Sequence, residues 1–431
     1  MIELWFDFSC PYAYLASRWA RRIPVAVDWR PMLLGGVFRG TGAGDGPMAT
    51  ISPQKQAHNV HDMQRWAELF GAPFRMPASH PMSTVRALRT LLALPSGTWP
   101  AAIDAIFAAY WQRGEDVTQT QVIRQALRQA GIPEEVVETA GVRADDPGIK
   151  DELRQRTDEA ISLGIFGAPA WVWRGGRSGQ AGSPEAGEPL LIWGQDRMAW
   201  IEAVLAGWQL AGPPPGGPRP FAPEERAAAG KTLDVYFDVA SPFAYLGLSQ
   251  LSGLARMGVV PRLVPILLGA LFRDLQQANV PLLTMPAAKQ RYVGREMERW
   301  ASWWGVPFTF PRKFPQRTVT AQRLCVLAAA ESDETCARLA LTLARAMWAE
   351  QRDLEDEQTL HAIVSTAGLP ESWIARTQEP AIKAQLADNT AAARKAGVFG
   401  VPTYVVDGKH LFWGQDRLEL VARALAGWTP P

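Results

Sequence analysis

Only 3 cysteines and 5 histidines occur among the 431 residues. Cys10, Cys325 and Cys336 stand far apart, which excludes a disulfide framework and any metal-binding cysteine spacing. Five scattered histidines argue against a metal centre as well. Neither charge sign is in excess: 44 Lys and Arg meet 43 Asp and Glu, for a net charge of +1. That balance points to no nucleic-acid or strongly acidic partner. No uncharged apolar stretch reaches the ~18–20 residues that span a bilayer. Residues 1–6 read as a strand, not as a basic segment leading into an apolar run, so no secretory signal is expected and the chain reads as cytoplasmic. Tryptophan, by contrast, is plentiful at 18 residues, and its large rigid surface suits core packing.

What the chain does have is a repeat. Phe6-Asp7-Phe8-Ser9-Cys10-Pro11-Tyr12-Ala13-Tyr14-Leu15 returns 231 residues later as Phe237-Asp238-Val239-Ala240-Ser241-Pro242-Phe243-Ala244-Tyr245-Leu246. Lys55, Trp66, Pro73, Pro81 and Thr84 recur 234 residues on, and Trp111, Gly131 and Pro133 recur 237 on. Gly164-Ile165-Phe166-Gly167-Ala168-Pro169 returns as Gly397-Val398-Phe399-Gly400-Val401-Pro402 at a shift of 233. Trp193-Gly194-Gln195-Asp196-Arg197 returns as Trp413-Gly414-Gln415-Asp416-Arg417 at a shift of 220. The last drop places 13 extra residues in the first copy, within 175–189, a Gly-, Ser-, Pro- and Glu-rich stretch that reads as an exposed hairpin extension. A period this long means two whole domains, not a solenoid.

The Gly212-Pro213-Pro214-Pro215-Gly216-Gly217-Pro218 stretch cannot continue a helix. The expected domains are therefore 1–211 and 231–431, joined by a linker at 212–230. Each is long enough to bury its own core.

The same elements are expected in each copy. A strand (3–8; 233–239) leads into a helix (12–22; 243–257), then a second strand (25–32; 260–267). Helical patterns follow, among them 121–131, stopped by Gly131 and Pro133, and another within 324–348. Cys325 and Cys336, eleven apart, are expected on one face of a helix as core thiols. Two short strands (170–173 with 190–193; 403–406 with 410–413) and a last helix (197–205; 417–425) close each copy. Asp407-Gly408 is a strong hairpin signal. The order predicts an α/β protein: two thioredoxin-like folds, each with a helical insertion, a parallel central pair and an antiparallel hairpin.

Chemistry concentrates where the first strand hands over to its helix. Pro11 and Pro242 suit the first helical position, which puts Cys10 and Ser241 at the N-cap. Ser241 has two readings: a helix cap worth ~1 kcal/mol, or a donor that holds the thiolate of a bound ligand. Cysteine is not a favoured cap, and a helix start lowers a thiol pKa, so Cys10 is a candidate thiolate. Neither copy has a second cysteine at the fourth position, where Ala13 and Ala244 stand, so a dithiol cycle is excluded. Most X-Pro bonds are trans. In this fold, however, Ala168-Pro169 and Val401-Pro402 occupy the place where a cis proline faces the helix mouth and offers backbone groups to an extended peptide.

These motifs resemble the DsbA-like branch of the thioredoxin superfamily, and within it the 2-hydroxychromene-2-carboxylate isomerases and kappa-class glutathione transferases. The resemblance covers the whole chain, once per half. It implies a serine at the helix mouth that stabilises the glutathione thiolate, matched by Ser241. It implies further contacts from Asn279 after the second strand, from Lys289 and Tyr292 in the inserted helix, from Val401 before Pro402, and from Gln415-Asp416 toward the γ-glutamyl group. The first copy departs from this: Cys10 replaces the serine, the loop 41–44 lacks the asparagine, and His58 stands in place of Tyr292, while Lys55, Ala168-Pro169 and Gln195-Asp196 survive.

The implied cofactor is glutathione or another low-molecular-weight thiol. The implied activity is isomerisation of an aromatic-derived keto acid or chromene carboxylate at the second copy. The alternatives are a single-cysteine thiol–disulfide oxidoreductase working through Cys10, a kappa-type glutathione transferase, and a non-catalytic binding module in the first copy. The partners expected are a small-molecule substrate and, inside the chain, the other copy as a pseudo-dimer; no nucleic acid or membrane is expected.

Overall fold

A computed structural model describes residues 1–44, 46, 51–174, 189–215, 217 and 226–431. The extension expected within 175–189 lies outside the described residues except at Pro189, as do Gly216 and Pro218 of the Pro-rich stretch.

The first repeat runs β1 (Ile2–Phe6), α1 (Pro11–Ala20), β2 (Val27–Pro31), α2 (Leu34–Gly40), α3 (Pro53–Leu69), α4 (Val85–Ala93), α5 (Trp99–Ala108), α6 (Thr120–Gln129), α7 (Glu134–Arg143), α8 (Pro147–Ser162), β3 (Ala170–Trp173), β4 (Leu190–Trp193) and α9 (Met198–Leu205). The second runs β5 (Leu233–Phe237), α10 (Pro242–Leu248), α11 (Leu251–Arg256), β6 (Arg262–Pro265), α12 (Leu268–Asp274), α13 (Pro281–Thr284), α14 (Ala287–Trp304), α15 (Val319–Glu331), α16 (Asp333–Trp348), α17 (Glu357–Thr366), α18 (Trp373–Arg376), α19 (Pro380–Lys395), β7 (Thr403–Val406), β8 (His410–Trp413) and α20 (Leu418–Leu425).

The two sheets have the same topology, β2-β1-β3-β4 and β6-β5-β7-β8. In each, the first pair is parallel and the hairpin joins antiparallel, with Leu4 opposite Trp29 on one side and Trp171 on the other. Every residue of β1 is buried, as a central strand covered on both faces requires. Its one charge, Glu3, is satisfied by Trp5 Nε1 at 2.9 Å and Arg174 Nε at 2.5 Å. Between β7 and β8, Asp407 and Gly408 both have positive φ (53° and 64°), the backbone of a primed hairpin turn.

The chain forms two compact units that do not coincide with the repeats. Unit 1 comprises Met1–Ile51, Val60–Gln209 and Met285–Tyr292; unit 2 comprises Ser52–Asn59, Leu210–Thr284 and Val293–Pro431. Each unit thus includes a short segment of the other repeat. The first residues of α3 belong to unit 2, and the first residues of α14 to unit 1.

Two stretches read as helical each hold two helices. The 243–257 stretch breaks between α10 and α11, where Ser249 Oγ turns back to donate to Leu246 O at 2.6 Å. The 324–348 stretch breaks at Ser332, whose extended backbone and hydroxyl, accepting from Thr335 N at 3.0 Å, cap α16. Cys325 and Cys336 therefore sit on different helices. Both are fully buried, and the Cys336 thiol lies 3.5 Å from Cys325 O.

Candidate functional site

In each repeat a buried aspartate builds the turn after the central strand. The Asp7 carboxylate accepts from Ser9 N at 2.9 Å, Leu34 N at 2.8 Å and the Thr84 hydroxyl at 2.5 Å. Asp238 accepts from Ala240 N, Leu268 N and the Thr318 hydroxyl, each at 2.9 Å. One side chain thus fixes three things: the helix mouth, the start of the next helix (α2 or α12), and the N-terminus of α4 or α15. Burial pushes both carboxyls above the usual aspartate range, and these hydrogen bonds pull them back only in part.

Two further ties repeat. Trp111 Nε1 donates to Phe8 O at 2.8 Å, and Trp348 Nε1 to Val239 O at 2.9 Å. Tyr14 Oη donates to Pro73 O at 2.6 Å, and Tyr245 Oη to Pro307 O at 2.7 Å. Sequence reasoning did not assign roles to Asp7, Asp238, Thr84, Thr318 or these aromatic residues. Their signal was there, because each recurs in both copies.

At the mouth itself, Cys10 and Ser241 are the N-caps of α1 and α10, with Pro11 and Pro242 behind them. The Ala168-Pro169 and Val401-Pro402 bonds are cis. The Cys10 thiol donates to Ala168 O at 3.1 Å, and the Ser241 hydroxyl donates to Val401 O at 3.3 Å. Ser241 Oγ also accepts from Ala244 N at 3.2 Å, so it is a true cap, whereas Cys10 makes no cap bond. All four residues are buried. Among the described residues, the backbone N–H groups of Ala168 and Val401 donate to no protein acceptor.

Burial opposes the thiolate expected at Cys10. Burial pushes its thiol up to about 12, against a weaker pull from the Ala13 and Tyr12 amides, with Asp7 adding to the rise. Removal from water outweighs the amides of the helix start.

The Trp-Gly-Gln-Asp-Arg turns stand beside the cis prolines. Gly194 N donates to Pro169 O at 3.0 Å, and Gly414 N to Pro402 O at 2.9 Å. The indoles of Trp193 and Trp413 lie over Gly167 and Gly400. A Cβ on either glycine would come within 2.9 Å and 2.6 Å of the indole nitrogen. Gly194 and Gly414 have φ of 108° and 105°, and the Asp196 and Asp416 carboxylates fill the space a side chain there would need. Each aspartate pairs with the next arginine, at 3.0 Å for Arg197 and 3.2 Å for Arg417. Gln195 and Gln415 are buried.

The helix-borne candidates separate by unit. Lys289 Nζ lies 5.5 Å from the Trp193 ring, and Tyr292 Oη accepts from Trp193 N at 2.9 Å; both belong to unit 1 with Cys10. Lys55 Nζ lies 4.6 Å from the Trp413 ring, and His58 Nε2 accepts from Trp413 N at 3.3 Å; both belong to unit 2 with Ser241. The resemblance grouped Lys289 and Tyr292 with Ser241; in the structure Lys289 stands beside the Trp193 indole and Tyr292 on the Trp193 amide. Asn279 is exposed in unit 2, its Oδ1 3.1 Å from where a Gly269 Cβ would stand, in the first turn of α12. Among the described residues, none lies within 4 Å of where a Cβ would stand on the equivalent Gly35 in unit 1.

The DSBA-like thioredoxin domain family matches residues 1–206 and again 232–426. Among curated proteins, the chain is 28% identical to glutathione S-transferase kappa 1 of Rattus norvegicus over 217 residues, 47% of this chain and 95% of that one. It is 29% identical to 2-hydroxychromene-2-carboxylate isomerase of Sphingobium xenophagum over 199 residues, 44% of this chain and 96% of that one. Among solved structures, a selenomethionine 2-hydroxychromene-2-carboxylate isomerase is 25% identical, with a TM-score of 0.41 over 45% of this chain and 94% of that one. With both halves matched, the chain belongs to the DSBA-like thioredoxin domain family, which it contains twice over.

Proposed function

We propose that the chain is a glutathione-dependent isomerase of an aromatic-derived keto acid or chromene carboxylate, with Ser241 at its catalytic centre. The observation that carries this reading is the pairing of the Ser241 hydroxyl with Val401 O at a buried helix mouth. A hydroxyl that donates to a carbonyl in the free protein reaches a ligand sulfur by one side-chain rotation. Val401 N–H, uncommitted within the described residues, suits the backbone of an extended peptide. The residues present therefore fit a small thiol peptide.

Glutathione bound there would supply the thiolate that adds to an electrophilic carbon, allows rotation about the adjoining bond and leaves. The protein's part is orientation and charge. Ser241 Oγ–H stabilises negative charge on sulfur in a water-poor site. Val401 and Pro402 set the direction of the peptide. Asn279, Gln415 and Asp416 share unit 2 with Ser241 and are the remaining anchors. No electron transfer is required, so the lack of a second cysteine at the mouth is no obstacle.

The first copy, with Cys10, Ala168, Pro169, Gln195 and Asp196, is read as a binding module without thiol chemistry of its own. The observation favouring this is the burial of Cys10, which raises its thiol and opposes the thiolate. The division at 1–211 and 231–431, the pairing of the two copies within one chain and a cytoplasmic setting belong to the same proposal.

The test is turnover of 2-hydroxychromene-2-carboxylate by the full chain with and without glutathione. Glutathione-dependent conversion to an isomer of equal mass is expected, and Ser241→Ala should lower kcat by about 10²–10³, the usual effect of removing one donor to developing charge. A stable glutathione adduct as product would transfer the reading to a kappa-type transferase. Unchanged turnover in both Ser241→Ala and Asn279→Ala would overturn it.

A further inference from the structure

The two sheets share an outer strand but finish its free edge differently. Trp29 stands opposite Leu4 in β2, and Leu263 opposite Val235 in β6, so the two are equivalent. Met32 N donates to Phe6 O, and Ile266 N to Phe237 O. Backbone groups alternate between the two edges of a strand, so Trp29 and Leu263 turn their N–H away from the sheet. In unit 2, side chains close that edge. Asp333 Oδ1 accepts from Leu263 N at 2.7 Å, and Asn389 Nδ2 donates to Pro265 O at 3.1 Å. In unit 1, Ser96 and Arg156 hold the corresponding positions, 237 and 233 residues earlier. Among the described residues, no protein group accepts from Trp29 N or donates to Pro31 O.

A cleft of about 410 Å³ lies against residues 27–30 of β2, with Ser96, Trp99 and Arg156 on its other side. That volume is within the roughly 300–1,000 Å³ of small-ligand sites. Its two indoles are particular to unit 1, since Leu263 and the buried Cys336 take their places in unit 2. Both indoles are held in position. Trp29 meets Phe6 edge-on at 5.9 Å and 89°, and Trp99 Nε1 donates to Leu94 O at 3.2 Å. Arg156 lies 5.5 Å from the Trp99 ring and pairs with Glu152 at 2.8 Å, while Arg30 pairs with Asp28 at 2.8 Å. The guanidiniums are therefore already partnered, and the uncommitted donor is the strand's own N–H.

We infer that this cleft binds a small aromatic carboxylate that also carries an N–H or O–H donor. The second repeat displays the chemistry that such an edge takes: a carboxylate on the outward N–H and an amide N–H on an outward carbonyl. In unit 1 a ligand supplies both. Its carboxylate accepts from Trp29 N–H, as Asp333 does from Leu263, and its donor meets an outward carbonyl of β2. Its ring packs on the indoles, where unit 2 has Leu263 and Cys336. None of the residues of either helix mouth lines the cleft, so the site is independent of the reading of Ser241.

The test is calorimetry on the full chain with N-acetylphenylalanine, which carries the ring, the carboxylate and an amide N–H. Binding in the millimolar range or tighter is expected. Its amide, which lacks the carboxylate, should bind about tenfold more weakly, the loss of one hydrogen bond to a charged group. Ser96 is exposed, and Ser96→Asp places at the edge the carboxylate that unit 2 already has there. That variant should lose about tenfold in affinity for the acid, whereas Ser96→Ala should bind as the parent does. Photolabelling with N-acetyl-4-benzoylphenylalanine locates the site without any variant, and the label is expected in the peptides holding residues 27–30 or 96–99. Equal affinity for acid and amide, parental binding by Ser96→Asp, label confined to other peptides, or no binding at all would each overturn the inference.

Discussion

The two helix mouths share one geometry and differ in one atom. In each, a buried aspartate fixes the turn, a proline starts the helix, and the cap residue donates to the carbonyl before a cis proline. What changes is the donor: a thiol in unit 1, a hydroxyl in unit 2. The shared part teaches that the aspartate, the threonine it binds and the indole and phenol ties are scaffold. The differing part marks where the chemistry of the two units diverges. Serine keeps its proton and offers it as a hydrogen bond, so burial costs it no function. A cysteine in the same place is useful only as thiolate, and burial opposes that form.

The largest expected effect follows from this contrast. At pH 8, Cys10 in the folded chain should react with iodoacetamide on the order of 10³-fold more slowly than in the unfolded chain, since its folded pKa is about 12 and thiolate is the reacting form. Mapping the labelled peptide by mass spectrometry separates it from Cys325 and Cys336, which burial also holds protonated. The rate should climb steadily with pH, with no plateau below pH 10. A plateau near pH 7 would break the comparison and return Cys10 to the list of nucleophiles. The same shift sets a sign for stability. The thiol is raised on folding, so its contribution is fully present below the ordinary value of 9.0 and is lost as pH rises toward 12.

Much of this arrangement was readable in the chain. The four short strands at 170–173, 190–193, 403–406 and 410–413 form as expected, because turn residues bound them and each pairs with its neighbour in sequence. The helical runs were less legible. Leu, Ala and Cys continue at helical spacing straight through Ser332, since both α15 and α16 bury that face, and only the serine hydroxyl at the cap reveals the break. The site was legible as a set of repeated residues but not as a set of neighbours. Lys55 and Lys289 recur at one spacing, and nothing in that spacing tells which Trp-Gly-Gln-Asp turn each will meet. That is decided by packing of the first turns of α3 and α14, a tertiary property. Burial of Cys10 was invisible for a similar reason: a cap position is ordinarily near water, and here the cis-proline turn covers it.

A second contrast lies behind the mouth. Gln322 in unit 2 donates to Phe237 O at 3.0 Å and Ile266 O at 2.8 Å, and accepts from Val239 N at 3.3 Å. Its counterpart in unit 1 is Leu88, equally buried and purely apolar. Gln322→Leu should therefore be accommodated in shape yet leave backbone groups of unit 2 unpaired, at a cost of about 1–3 kcal/mol. Urea unfolding followed by a unit 2 probe would measure it. A neutral result would show that Leu88 and Gln322 solve the same packing problem equally well, and that the polar bridge contributes nothing to the Ser241 unit.

The smallest effect tests the phenol ties. Tyr245 Oη donates to Pro307 O, and the position equivalent to Gln112 holds Ala349, whose side chain has no hydrogen-bonding group. Tyr14 Oη donates to Pro73 O and also accepts from Gln112 Nε2 at 3.0 Å. Removing the hydroxyl therefore strands one carbonyl in unit 2, but a carbonyl and an amide in unit 1. Tyr245→Phe should cost about 0.5–1.5 kcal/mol, the net value of one hydrogen bond. Tyr14→Phe should cost more. Adding Gln112→Ala to Tyr14→Phe should bring the loss back toward the Tyr245→Phe value, because the stranded amide is then gone. Equal costs for the two single variants would mean that solvent satisfies Gln112, and that the two ties are equivalent despite their different neighbours.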